Sequence, residues 1–315
     1  MILQSRETRP ATGCLRHEAF FYTGDDDYVA AVRSFVGAGV PAAEPTLVAV
    51  PGARGDLLRE CLEPRPGLRF VDMAREGRNP GWIIPGLLYA FVSEFAGSPV
   101  RVVGEAIWPE RTPAAYPRCV QHEALINIAL ADKPVRMLCA YDAERLDAEV
   151  LADAERTHPF LGRGVDRWAS PGYHRPEAVV DAYNQPFTEP RPETPTYLFD
   201  LADLASMRAL VATAAADAGL APERISDLQL AVNEVVTNAI THAGTPAALR
   251  FWCEAEGMLV EVSGDSVLTN RLAGRIPAAP TDDRGRGLLL VNYLCDLVHV
   301  YTTDRSTTIR LQMNR

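Results

Sequence analysis

LAVNEVVTNAITHAG, residues Leu230–Gly244, reads as part of a long amphipathic helix. Ile225, Leu228, Val232, Val235, Val236 and Ala239 recur at helical spacing and make its apolar face. The spacing predicts a helix over Pro222–Ala243, with the proline suited to the first turn. Glu234 and Asn238 are four residues apart and so share a side of the helix, which Thr241 and His242 continue one turn later. An amide oxygen is a hard ligand suited to Mg²⁺, and a carboxylate can orient or deprotonate a nucleophile. Taken alone, this polar side reads more simply as a solvated face with one i,i+4 pair.

A second element changes that balance. Arg284-Gly285-Arg286-Gly287-Leu288 closes a loop of about 20 residues, Gly264–Arg284, and opens a helix expected over Gly287–Cys295. Glycines there allow close backbone approach, and a helix N-terminus offers free N–H groups and the positive end of a dipole, which together can cradle a phosphate. Between the two elements, a hairpin is expected from Ala248–Ala255 and Met258–Val262 around Gly257. A helix at Leu201–Ala218 precedes them, and strands at Leu297–Thr303 and Thr307–Met313 follow. This order predicts an α+β sandwich, with helices on one face of a mixed sheet.

The other half of the chain alternates differently. Helices are expected at Asp26–Val40, Gly55–Cys61, Ile83–Phe95 and Pro113–Ala131. Short apolar runs at Pro45–Val50, Leu68–Val71, Val100–Ile107 and Val135–Tyr141 read as buried strands. That alternation predicts an α/β domain with a largely parallel sheet. Seven prolines between His158 and Pro195 read as a linker, with a short helix at Pro176–Tyr183. The expected division is therefore 1–160, a linker over 161–196, and 197–315.

Composition mainly excludes. The 315 residues carry a net charge of −10 with no basic run, which argues against nucleic acid as a primary partner. Lys133 is the only lysine, so P-loop or Schiff-base lysine chemistry has no residue elsewhere. In particular Pro51–Asp56, after the first expected strand, lacks the Gly-Lys-Ser/Thr ending that grips phosphate. No apolar run is long enough for a membrane span, and Met1–Arg16 has no signal-peptide apolar region. The six cysteines, Cys14, Cys61, Cys119, Cys139, Cys253 and Cys295, read as buried reduced thiols of a cytoplasmic protein. The metal-like spacing of Cys14 and His17 has no second pair to support it.

Two resemblances sharpen these expectations. From about residue 197, "LAVNEVVTNAITHAG" and "RGRGLLLVNYLCDLV" (Arg284–Val298) resemble the N and G2 boxes of the GHKL (Bergerat) ATPase fold, in the branch of RsbW-like anti-sigma factor serine/threonine kinases. The resemblance implies that Asn238 holds Mg²⁺ against ATP, that Glu234 is the catalytic carboxylate, and that Gly285, Gly287 and Leu288 contact the phosphates. One element departs from the family. Where an Asp-x-Gly turn should read adenine, the text is Val262-Ser263-Gly264-Asp265-Ser266, so Asp265 could serve only after a one-residue slip. Retained and lost ATP binding both stay open on this text.

Residues 16–160 resemble the MEDS sensory domain, through "HEAFFYTGDDDYVAAVRSFVGAGV" (His17–Val40), "VDMAREGRNP" (Val71–Pro80), "GEAIWPERTPA" (Gly104–Ala114), "QHEALINIAL" (Gln121–Leu130) and "LCAYDAERL" (Leu138–Leu146). The resemblance implies a RecA/KaiC-like parallel-sheet core without nucleotide motifs. His17, Tyr22, Glu105, Trp108, His122 and Asp142 then form a candidate sensory pocket for a small-molecule ligand. Each alone reads more simply as a packed or locally bonded residue.

The functional expectation is an anti-sigma factor kinase with a sensory domain, binding a sigma factor or phosphorylating an antagonist protein, with a homodimer as the family's arrangement. The alternative is a non-catalytic ligand-sensing module with a degenerate ATP site. A sensor histidine kinase is a third reading, disfavoured because Leu201–Ala218 carries no phosphoacceptor histidine.

Overall fold

Short apolar runs separated by helices build a seven-stranded sheet from residue 16 onward, and a second, antiparallel sheet follows from residue 197. The computed structural model describes residues 14–40, 43–277 and 285–315. Within them the chain divides into two compact units. The first comprises residues up to 72, 91–109 and 126–173; the second comprises 73–90, 110–125 and 174–315. The reading of Met1–Arg16 falls largely on residues 1–13, and that of Arg284 within 278–284, outside the described residues. Among the described residues no helix is long and apolar enough to cross a membrane.

The first unit holds β1 (Arg16–Tyr22), β2 (Thr46–Val50), β3 (Leu68–Asp72), β4 (Val100–Gly104), β5 (Val135–Asp142), β6 (Phe160–Arg163) and β7 (Asp166–Ala169). Their spatial order is β3-β2-β4-β5-β1-β6-β7. Every neighbouring pair is parallel except the β6–β7 hairpin at the edge. The unit is thus the expected α/β fold. Helices α1 (Gly24–Gly37) and α2 (Gly52–Cys61) follow β1 and β2. Phe20, Val48, Val103 and Leu138 from the sheet pack with Val32, Val36 and Leu58 from these helices, all essentially solvent-free. Each such side chain contributes roughly 1.5–3 kcal/mol by leaving water.

Three features differ from expectation. β1, in the sheet interior, lies outside the expected strands, because its apolar run Ala19–Tyr22 is short and bounded by His17 and Glu18, both buried here. Pro51–Asp56 therefore follows the second strand, not the first. The Pro-rich stretch is also not simply a connection. β6 and β7 extend the first sheet, and Pro176–Ala182 is helical, within the short helix expected over Pro176–Tyr183. Further on, Phe187 meets the rings of His299 and Tyr301 at 6.0 Å, and Arg310 donates to the Thr188 carbonyl at 2.7 Å. Proline excludes ladder pairing but not packing across a sheet face. Finally, the apolar run expected as one helix over Ile83–Phe95 begins as a π-helix, Ile83–Tyr89, and turns α-helical only at Ala90.

In the second unit the sheet order is β11 (Leu297–Thr302), β12 (Thr307–Asn314), β10 (Gly257–Gly264), β9 (Ala247–Cys253) and β8 (Tyr197–Phe199). All its pairs are antiparallel, where a mixed sheet was expected. The reason is connectivity: hairpins join β9 to β10 and β11 to β12, and the two successive helices between β8 and β9, Leu204–Asp217 and Pro222–Ala243, bring the chain back so that β9 runs antiparallel to β8. One face packs on the helices Leu204–Asp217, Pro222–Ala243 and Arg286–Leu294 through Val211, Leu228, Val232, Val236, Val260 and Leu311. On the other face Glu261, 2% exposed, is held between Arg250 and Arg310. This is the expected α+β sandwich.

Candidate functional site

Pro222–Ala243 places Glu234 and Asn238 one turn apart, both half-buried, while Val232, Val235 and Val236 anchor the opposite side in the core. Gly244 ends that helix in the left-handed conformation at φ 69°, which only glycine adopts freely. The Arg286–Leu294 helix begins after Gly285, at φ 89°. Its second residue, Gly287, faces the first helix so closely that a β-carbon there would lie 2.8 Å from Glu234 Oε2 and 2.9 Å from Asn238 Nδ2. A carboxylate, a carboxamide and the glycine of a helix N-terminus thus converge on one point. This donor set fits the phosphates and Mg²⁺ of a nucleotide: amides and the helix dipole for anionic oxygens, and Asn238 and Glu234 for a hard cation. Leu288 lies beside them, partly buried against the core.

The end of β10 beside this point is built differently. β10 ends at Gly264, which packs so tightly on the first helix that a β-carbon would approach the Ala239 methyl to 2.9 Å. Asp265, just past the strand, is exposed and accepts a hydrogen bond from Thr245 Oγ1 at 3.3 Å. Thr307, opposite Gly264 in the sheet, is engaged by the Leu268 amide at 2.9 Å.

In the first unit the expected pocket residues separate into two groups. Tyr22 and Asp142 are register partners at the C-terminal ends of β1 and β5, and Glu105 directly follows β4. Carboxyl ends of parallel strands are where open α/β sheets bind ligands. Tyr22 donates to Glu105 Oε1 at 3.3 Å, and Arg54 Nη2 donates to the Tyr22 hydroxyl at 3.2 Å. Arg54 also pairs with Asp25 and lies 3.6 Å from Asp142. Burial pushes the Glu105 carboxyl up to about 7, only partly countered by Arg54. Burial, then the neighbouring Glu105 charge, also raises the Tyr22 and Tyr28 phenols above their ordinary range. Arg54 is the one basic residue of Pro51–Asp56, and its charge is already met by Asp25 and Asp142.

The second group centres on His17. Its Nε2 lies 3.3 Å from Cys139 Sγ, its Nδ1 3.1 Å from Asn127 Oδ1, and its ring 4.0 Å from that of His158. Donor atoms of His17, Cys139 and His158 lie within 4.8 Å of one another, all buried, so this trio could hold a soft or borderline metal ion. His17 thus meets Cys139, 122 residues away, rather than Cys14, which is exposed. The expectation of uniformly buried thiols is corrected too: Cys14 and Cys253 are exposed and Cys61 is half-buried, though all six are free. Trp108 is half-buried in the coil after β4, and His122 is buried within the second unit.

Sequence reasoning missed Arg54, Tyr28, Cys139 and His158 as site residues. Arg54 was visible only as a failed phosphate grip, Tyr28 as one apolar position of a helix, and His158 as the edge of a proline-rich stretch. Their roles depend on which strands lie side by side.

Residues 16–159 match the family model of MEDS, the methanogen/methylotroph, DcmR sensory domain, and residues 198–313 match that of the histidine kinase-like ATPase domain. The chain joins a MEDS domain to a histidine kinase-like ATPase domain. No curated protein matches it. The strand-end cluster around Glu105 lies within the MEDS match, and Glu234, Asn238 and Gly287 lie within the ATPase match. Together they make this a regulatory, kinase-like ATPase-fold protein with a sensory domain. The compact units do not follow the matched segments, since residues 73–90 and 110–125 of the MEDS match group with the ATPase domain.

Proposed function

We propose that this protein is a partner-switching regulator of the anti-sigma factor kinase type, in which the MEDS domain senses a ligand and the ATPase domain uses Mg²⁺-ATP. The observation that carries the reading is the meeting of Glu234 and Asn238 with Gly287 at a helix N-terminus. In this reading Asn238 ligates Mg²⁺, backbone amides from Gly285 to Leu288 hold the phosphates, and Glu234 orients the acceptor hydroxyl of an antagonist protein. Phosphoryl transfer then relies on positioning and electrostatic stabilisation. The protein partner is a sigma factor or its antagonist. Calorimetric titration of the full chain with Mg²⁺-ATP tests this: saturable binding that Asn238→Ala weakens at least tenfold supports it, and no binding removes ATP from the mechanism.

A second reading rests on a separate observation. Asp265 faces Thr245, and Gly264 packs on Ala239, so the adenine-reading carboxylate of the family has no counterpart. In that reading the ATPase fold serves as a protein-docking module without catalysis. It predicts partner binding that is indifferent to ATP and to Asn238→Ala.

A further inference from the structure

The second unit contains a cavity of about 370 Å³ that shares no residue with the Glu234–Asn238–Gly287 constellation. Its walls come from the helix Tyr116–Ala129, the segment Val180–Asn184, the loop Val267–Arg275 and the edge strand β11. Three guanidinium groups line it, and two of them are buried. Arg275 is 1% exposed and Arg118 is 9% exposed. Arg275 donates through Nη1 to the Pro80 carbonyl at 2.9 Å, and Arg118 through Nη1 to Gln121 Oε1. Arg275 Nη2 and Arg118 Nε are buried without any hydrogen-bond partner among the described residues. The other charges on the wall cancel, because Arg271 and Asp181 form a bidentate pair at 2.9 and 2.8 Å.

Burying two unpaired cations near one another is costly, and a protein ordinarily pairs or removes such charges. The cost is visible in the surroundings. Burial, and then the charge of Arg118, holds the Arg275 guanidinium well below its ordinary range. Burial, then Arg118 and Arg310, pushes the His299 imidazole down to about 3.

We propose that this cavity is a binding site for a small organic anion whose carboxylate or phosphate oxygens bridge Arg118 and Arg275. Guanidinium groups suit that task because they present planar forks of donors to oxyanions, and the volume falls within the range of small-ligand pockets. Asn184 and Thr302, both on the cavity wall, hold one another by two hydrogen bonds between the Asn184 amide and the Thr302 backbone, 2.7 and 2.9 Å. Arg118 belongs to the MEDS match, and Arg275 to the loop that precedes Gly285 in the ATPase match. A bound anion therefore ties a helix of the sensory segment to the stretch Val267–Arg275 of the ATPase match. The site does not depend on ATP binding.

The test uses the full chain and two probes, succinate and inorganic phosphate, with succinamide as the neutral control and chloride to match ionic strength. Calorimetry and thermal denaturation are expected to show saturable binding of at least one anion, no binding of succinamide, and a rise in melting temperature with the anion. The two probes separate a carboxylate ligand from a phosphate ligand. Arg118→Gln and Arg275→Gln are each expected to raise Kd at least tenfold. Each is also expected to melt no lower than the wild type in chloride, because it removes one of two repelling buried charges. A purely structural arginine would instead lower the melting temperature on substitution and leave the anion response unchanged. Absence of saturable binding of both anions to the wild-type chain overturns the proposal, as does an unchanged Kd in both variants.

Discussion

Glu105→Gln should convert a pH-sensitive domain into an insensitive one. Glu105 is 2% exposed and accepts from the Tyr22 hydroxyl at 3.3 Å, and burial raises its carboxyl from 4.5 to about 7. The raised value fixes the sign. Below pH 4.5 both the folded and unfolded chains hold the proton and nothing is lost. Between 4.5 and 7 the unfolded chain ionises while the folded one keeps its proton, so stability falls as pH rises. The full displacement corresponds to about 3 kcal/mol, of which about 2 kcal/mol develops between pH 5.5 and 8.5. Glutamine keeps an acceptor for Tyr22 and removes the titration. The variant should therefore gain about 2 kcal/mol on the wild type across that window, or roughly 4–8 °C in melting temperature at 2–4 °C per kcal/mol. Paired thermal melts of both proteins at half-unit steps measure this difference directly, and other titrating groups cancel. A difference that stays constant with pH, or shrinks as pH rises, would refute the reasoning. The latter would mean that Glu105 is ionised at neutral pH and paired with Arg54.

Four further outcomes follow from particular contacts. Gly287→Ala should lower stability by about 1–3 kcal/mol in chemical denaturation, because the added methyl meets Glu234 and Asn238 inside 3 Å. Glu261→Gln should cost roughly 3–5 kcal/mol by the same assay, since it strips the one carboxylate that Arg250 and Arg310 share under the sheet. Acidification through pH 6.5 should destabilise wild-type protein more than His299→Gln, because a histidine depressed to about 3 gives stability that is complete above 6.5 and lost as pH falls. Asp265→Ala should leave Mg²⁺-ATP affinity within twofold of wild type by calorimetry, since Asp265 faces Thr245 and solvent.

Most of the architecture was legible in the sequence. Period-3.6 patterning marked Pro222–Ala243 because its apolar side faces a single core, and buried parallel strands such as β2 and β5 announced themselves as apolar runs. β1 escaped because His17 and Glu18 break its pattern, and both are buried for reasons of tertiary neighbours: His17 meets Cys139 and His158, while Glu18 pairs with Arg167. The pair Glu234 and Asn238 was readable from helical geometry alone, since i and i+4 always share a side.

What the sequence determined by itself, then, was every relation set within one element: helix faces, the glycine-opened helix, the missing phosphate-gripping lysine and the altered adenine turn. The tertiary structure alone decided relations between distant elements. It brought Tyr22, Arg54, Glu105 and Asp142 to one end of a sheet, joined His17 to Cys139, and placed Arg118 and Arg275 on one cavity. The physical reason is that local periodicity fixes which way a side chain points. What it points at, and whether its charge or proton is tolerated there, depends on strand order and on how completely neighbouring elements exclude water.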